Sequence, residues 1–316
     1  MLHPTSSRLP LPSSLTALER TLVLGVVNVT PDSFSDGGEW FEPDAAIAHG
    51  YELLADGADL LDVGGESTRP GAVRVDETEE LRRVLPVIEA LAATGATVSV
   101  DTTRARVAER ALEAGARVVN DVSGGLADPA MAQVVADSGA VFVAMHWRGH
   151  ADVMDANARY DDVVLDVRDE LAARVDALVG AGVDVRQLVL DPGLGFAKPG
   201  VDNWPLLANL DVLQSLGLPV LVGASRKRFL GHLLARPGVD PVPPTERDAA
   251  TAALTTLCAA QGAWAVRVHD VRPSADAVRV VARWQDVRAS RAAFSAPTGG
   301  ALPGALPGAQ QEGRPS

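Results

Sequence analysis

The chain has 316 residues, 47% hydrophobic and 22% charged. This is an ordinary globular composition, long enough for two average domains or for one α/β barrel with extensions. The formal net charge of −13, from 41 acids against 28 bases, excludes non-specific binding to nucleic acid or to an anionic membrane, both of which need a basic surface.

Residues 1–20 are rich in Pro and Ser and have neither periodicity nor the apolar core of a signal peptide. They read as a flexible leader on a cytoplasmic protein. Leu22–Asn28 is a near-continuous apolar run, as expected of a strand buried on both faces. A joint then recurs: a helical stretch ends at Gly, followed by Ala or Val, a short apolar run and a polar residue. Its copies start at Gly57, Gly95, Gly115, Gly139, Gly182 and Gly262, and end at Asp62, Asp101, Asn120, His146, Asp191 and Arg267. Glycine just past a helix supplies the left-handed residue that stops it. Between these joints, Glu77–Leu91 carries Leu81, Val84, Leu85, Ile88 and Leu91 at helical spacing, with Pro86 expected to kink or strain the helix. Val163–Val179 carries a similar stripe. Pro219–Gly223 is a further buried run without the joint, which brings the strands to eight. Cys258, the single cysteine, lies in a small-residue helical stretch and reads as a buried hydrophobe; one cysteine excludes a disulfide framework. Residues 291–316, with Ala-Leu-Pro-Gly at 301–304 and again at 305–308, read as a disordered tail. No run of about 18 apolar residues is present, so no membrane span is expected.

Strict alternation of helix and strand means a parallel sheet. Eight units favour a TIM (β/α)8 barrel over residues 21–290, a single domain with disordered tails. The alternative, an open doubly wound sheet, would want G-x-G-x-x-G after the first strand, and Gly25-Val-Val-Asn28 is not that.

Active sites of such barrels lie at the carboxyl ends of the strands. The eight runs end in Asn28; Asp62 and the Gly64–Pro70 loop; Asp101; Asn120 and Asp121; His146; Asp191; Ser225-Arg226-Lys227; and Arg267 with His269. Asp101, Asn120 and Asp191 suit a flat heterocycle whose guanidine-like edge donates paired N–H groups. Arg69, Arg226, Lys227, Arg267 and His269, with backbone amides of Gly-rich loops, suit an anion such as diphosphate. Asn28 could give a neutral oxygen to Mg²⁺, which often bridges to substrate phosphates. Lysine occurs only at 198 and 227. In so Arg-rich a chain, Lys227 reads as a compact point charge placed beside a heterocycle, where a guanidinium fork would not fit. Lys198 reads as a solvated cation, and His146 as a satisfied interior histidine.

Five segments, Asn28-Val-Thr-Pro-Asp-Ser-Phe-Ser-Asp-Gly-Gly38, Asp62-Val-Gly-Gly-Glu-Ser-Thr-Arg-Pro-Gly71, Asp191-Pro-Gly-Leu-Gly-Phe-Ala-Lys198, Gly223-Ala-Ser-Arg-Lys227 and Arg267-Val-His-Asp-Val271, resemble the signatures of the dihydropteroate synthases. The resemblance spans about residues 22–288. It implies a TIM barrel that condenses 6-hydroxymethyl-7,8-dihydropterin diphosphate with p-aminobenzoate in folate biosynthesis, with Mg²⁺ as cofactor, a homodimeric assembly and sulfonamides as mimics of p-aminobenzoate. Carried over by motif, Asp101, Asn120, Asp191 and Lys227 resemble the pterin contacts. Asn28, Thr68, Arg69, Arg267 and His269 resemble the diphosphate side, with Asn28 as the metal ligand. Phe34, Thr68, Pro70 and Ser225 resemble the p-aminobenzoate side. Lys227, Arg267 and Asp101 are the residues from which catalysis is expected. An aryl amine is nucleophilic at neutral pH, so the difficult step is expulsion of diphosphate, and a dissociative substitution is expected. Two other readings share the barrel and its acids: a methyltetrahydrofolate-dependent methyltransferase and a non-catalytic pterin-binding paralogue. The Ser67–Pro70 loop and the Arg267–His269 anion site speak against both.

Overall fold

The structure, a computed structural model, describes residues 9–30, 43–66, 74–150, 156–198 and 200–295. A short helix α1 (Ser13–Thr16) precedes strand β1 (Leu22–Asn28). There follow α2 (Pro43–Ala55), β2 (Leu60–Gly64), α3 (Glu77–Ala93), β3 (Thr97–Asp101), α4 (Ala105–Glu113), β4 (Val118–Asp121), α5 (Met131–Ser138) and β5 (Val141–Met145). The second half comprises α6 (Val163–Gly180), β6 (Leu188–Asp191), α7 (Asn203–Ala208), α8 (Leu210–Gln214), β7 (Leu221–Val222), α9 (Arg228–Leu233), α10 (Asp248–Ala260), β8 (Ala265–Val268) and α11 (Val271–Ser295). The strands form one parallel sheet in the order β6-β5-β4-β3-β2-β1-β8-β7. A parallel bridge between Leu190 and Val220, with the Leu190 N–H donating to Pro219 O at 2.9 Å, closes β6 onto β7. The eight-stranded barrel expected from the repeated joint is thus present, and the open sheet is not.

The joint works as its composition requires. Gly57, Gly95, Gly115, Gly139, Gly182 and Gly262 all have positive φ, between 68° and 111°. Each therefore turns the chain from a helix end into the next strand without a Cβ penalty. Helix starts are capped by acids: the Asp76 carboxylate accepts from Glu79 N–H, and that of Asp162 accepts from Val164 and Leu165 N–H. Helix α3 continues unbroken through Pro86.

Alternation along the strands divides the apolar residues into two sets. Val23, Val27, Leu61, Val63, Val98, Val100, Phe142 and Leu190 face outward and pack under the helices. Leu22, Leu24, Leu60, Val118, Val141, Val143, Val189 and Leu221 face inward and fill the lower barrel with Trp264. Residues further along the inward rows are polar, and they floor the site described below.

One expectation is corrected. The leader was expected to be flexible up to residue 20, yet Leu9 and Leu15 are buried in the inner cluster, with Leu11 and Leu18 packed against it. The barrel's amino end exposes an apolar floor, and these leucines cover it. Arg20 then anchors the segment through a bidentate pair with Asp59, both bonds at 2.7 Å. At the other end, α11 runs past residue 290 to Ser295. Cys258 is buried, as expected.

Leu15→Ala should lower unfolding stability by about 2 kcal/mol, the low end for a buried leucine at a plug that relaxes on one side. Exposed Leu126 is the control, and its change to Ala should stay within about 0.5 kcal/mol. Chemical denaturation of the two variants checks this; equal stability would mean that the segment does not plug the barrel.

Candidate active site

Inward-facing residues at the carboxyl ends of the strands form a polar layer above the apolar plug. Register sets its geometry: Asp62 lies across from Ser99, and Asp101 from both Gly64 and Asn120. Arg267, from β8, reaches over this layer. Its Nε donates to Asp62 Oδ2 at 2.6 Å and its Nη2 to Asp101 Oδ2 at 2.8 Å. Asn120 Nδ2 also donates to Asp62 Oδ2, at 3.0 Å. Asp62 Oδ1 and Ser99 Oγ are buried and have no hydrogen-bond partner among the described residues. Burial, reinforced by neighbouring Asp62, pushes Asp101 up to about 7 despite Arg267. The two carboxylates in turn hold the guanidinium above its ordinary value.

Across the barrel, Asp191 ends β6 and accepts from Gly193 N–H at 2.7 Å. Burial raises its pKa. Lys227 lies just before α9, its Nζ 4.2 Å from the centroid of the Phe196 ring, a cation–π contact. Burial lowers the ammonium to about 8 against the pull of Asp191. Ser225 Oγ lies 3.0 Å from His269 Nδ1 and accepts from His269 N–H at 3.2 Å. Asn28 ends β1 beside Gly64, and its carboxamide has no hydrogen-bond partner among the described residues.

Asn28, Asp101, Asn120, Asp191, Ser225, Lys227, Arg267 and His269 thus all belong to strand ends or the turns that leave them, on one rim. Phe34, Thr68, Arg69 and Pro70 lie outside the described residues. Two cations differ from their sequence reading. Arg226 is not directed at the rim: its guanidinium pairs with Asp248 of α10 at 2.7 and 2.8 Å. Lys198 is not solvated but 5% exposed, and it bonds His146, Gly193 and Phe196. The sequence reading also missed Asp62 as a partner of Arg267 and Asn120, and Phe196 as a partner of Lys227. Asp62 was legible in principle, since it falls on the inward parity of β2; Phe196 carried no signal beyond its motif.

The rim can therefore accept N–H groups at one end, through Asp101, Asn120 and Asp191, and hold negative charge nearby through Lys227 and Arg267. A barrel with this rim is a small-molecule site of the kind that seats a polar heterocycle. The family model described as pterin binding enzyme matches residues 24–269. The dihydropteroate synthase of Mycobacterium leprae (strain TN) is 57% identical over 267 residues, covering 83% of this chain and 93% of the relative. The structure of Xanthomonas albilineans dihydropteroate synthase with 4-aminobenzoic acid is 48% identical with a TM-score of 0.77, covering 86% of this chain and 94% of that one. The structure of the Xanthomonas enzyme in complex with 7,8-dihydropteroate is 45% identical with a TM-score of 0.75, covering 86% and 95%. The chain belongs to the dihydropteroate synthase family, transferases of folate synthesis. No helix among the described residues is long and apolar enough to cross a membrane.

With Asp101 raised to about 7, the accepting carboxylate is present above that pH and is lost as pH falls through it. The affinity for a pterin probe, followed by fluorescence titration, should therefore weaken from about pH 8 to about pH 6. A flat profile would remove Asp101 from the heterocycle's edge.

Proposed function

We propose that this rim binds 6-hydroxymethyl-7,8-dihydropterin diphosphate and condenses it with p-aminobenzoate to give 7,8-dihydropteroate and diphosphate. The observation that carries this reading is the pairing of an acceptor layer, Asp101 and Asn120 in register, with the cation Arg267 above it. Asp101, Asn120 and Asp191 accept the N–H groups of the pterin's guanidine-like edge, and Lys227 lies beside a ring acceptor. Arg267 Nη1 has no hydrogen-bond partner among the described residues, so the guanidinium can hold diphosphate while Asp62 keeps it oriented. His269 lies on the same side, with Thr68 and Arg69 joining by resemblance. Ser225 borders the p-aminobenzoate side, with Phe34, Thr68 and Pro70 joining by resemblance.

Among the described residues no group of three or more acids, histidines or cysteines could hold a metal ion. The amide oxygen of Asn28, uncommitted among the described residues, is a hard neutral donor that would hold Mg²⁺. When bound there, Mg²⁺ supplies positive charge to the departing diphosphate.

The chain's own residues then act in order. Arg267 and His269 stabilise charge developing on diphosphate as the bond from its oxygen to the methylene carbon breaks, with the electron pair leaving on oxygen. Asp101 and Asp191 favour the positive charge left on the pterin. The amine nitrogen of p-aminobenzoate bonds to the methylene carbon and gives up a proton to solvent. No general base is needed, because the aryl amine is neutral and nucleophilic.

The working assembly is a homodimer in the cytoplasm. Val280, Trp284 and Val287 form an exposed apolar stripe on α11, flanked by Arg279, Arg283 and Arg288. An exposed apolar stripe suits a second copy of the same chain, because a two-fold contact sets the same patch against itself and lets the two stripes bury each other. Trp284→Glu should shift sedimentation equilibrium from dimer to monomer; a wild-type monomer would overturn the assembly.

Positional isotope exchange tests the substitution. Pterin diphosphate labelled at the bridging oxygen, incubated with enzyme and Mg²⁺ but no amine, should scramble its label. Cleavage that strictly needs the amine, with no scrambling, would exclude the dissociative order.

A further inference from the structure

Lys198 lies in none of the positions assigned to substrate, yet its ammonium is fully committed. Nζ donates to Gly193 O at 3.1 Å and Phe196 O at 3.0 Å, and lies 2.9 Å from His146 Nδ1. His146 turns its other ring nitrogen, Nε2, to Glu170 of α6 at 2.9 Å. In its charged form the Lys198 ammonium donates three times when the imidazole accepts at Nδ1, and that imidazole then carries its proton on Nε2, facing a carboxylate. Burial keeps His146 neutral, lowered to about 4, while hydrogen bonding from His146 holds Glu170 down to about 2. Arg148 pairs with Glu170 and lies 3.9 Å over the Tyr160 ring, and the Tyr160 hydroxyl donates to Ala197 O at 2.9 Å. Burial lowers Lys198 to about 7; Asp191 and Glu170 oppose that fall, and Arg148 and Lys227 add to it.

The segment held in this way carries a strained residue. Gly193 and Gly195 take positive φ, 67° and 75°, without a Cβ penalty, but non-glycine Ala197 is held at 48°. Such backbone persists where its surroundings over-determine it. The same segment carries both features that prepare the heterocycle end of the rim. Gly193 N–H bonds Asp191, and the Phe196 ring lies against Lys227.

We propose that Lys198 is a positioning residue: backed by His146 and Glu170, it ties the Gly193–Ala197 loop in the form that seats Phe196 against Lys227 and the Gly193 N–H on Asp191. It never touches substrate and acts through the loop. The proposal rests on reading Asp191 and Lys227 as pterin contacts.

Lys198→Met keeps the stem and removes all three donors. Pterin diphosphate is titrated directly without amine, and kcat and KM are measured for both substrates. Leaving buried carbonyls unpaired should weaken pterin diphosphate binding about tenfold, with the KM for p-aminobenzoate unchanged. Lys198→Arg should not rescue binding, because its donors diverge in a planar fork. Phe196→Leu should weaken binding too, and the double variant should be no weaker than the worse single one, since both changes break one linkage. Glu170→Gln, at a half-exposed side chain, tests the same relay where folding is not at stake; a loss of about threefold is expected for a partly exposed pair. Unchanged pterin affinity in Glu170→Gln, unchanged affinity in folded Lys198→Met, or fully additive losses with Phe196→Leu would overturn the positioning role. A wild-type protein that fails to bind or turn over pterin diphosphate would instead sink the synthase reading itself.

Discussion

A guanidinium inside a barrel must be matched in charge and in hydrogen bonds, or burial will expel it. Arg267 meets that constraint with Asp62 and Asp101 together, and much of the site follows from this. Asp62 Oδ2 is shared with Asn120, so one carboxylate oxygen orients both a cation and an amide. Asp101 shares the same cation, and its carboxylate is poised near neutrality rather than locked as an anion. Strands β2, β3, β4 and β8 are therefore coupled through side chains as well as through the sheet.

The two ends of the barrel divide the work. At the amino end, inward rows of Leu and Val, closed by Trp264 and the leucines of the leader, give a rigid plug. At the carboxyl end polar groups take over, and Asp62, Asp101, Asn120 and Arg267 hold one another by hydrogen bonds. Polar groups on a rigid support lose little freedom on binding a ligand, which is the condition for electrostatic stabilisation of a leaving group. An acidic chain is no obstacle to this. The cations that matter are local and half-buried, and the lower dielectric around them strengthens their field over short range.

The loop after β6 holds the left-handed Ala197, and there a relay from α6 through His146 and Lys198 reaches backbone carbonyls. The helical shell is thereby connected to the rim through hydrogen bonds, not merely through packing. Arg226 illustrates the opposite use of a cation. Its motif position suggests a ligand contact, but its guanidinium ties the turn before α9 to α10.

The barrel was legible because its signals are local: a glycine after each helix, a buried apolar run, a polar exit. So were the rim residues Asp101, Asn120, Asp191, Lys227, Arg267 and His269, because strand ends share one face by construction. Pairing across the rim was not legible. That Arg267 bonds Asp62, that Phe196 lies against Lys227, and that Lys198 turns inward to His146 depend on strands and loops distant in sequence. The leader was misread for the same reason. Its leucines have no periodicity of their own, and only the closed barrel offers the apolar floor that buries them. Local chemistry alone determined the fold class and the polar rim. Tertiary structure decided which charges compensate one another, because desolvation and hydrogen-bond matching act between groups that only the closed barrel brings within reach.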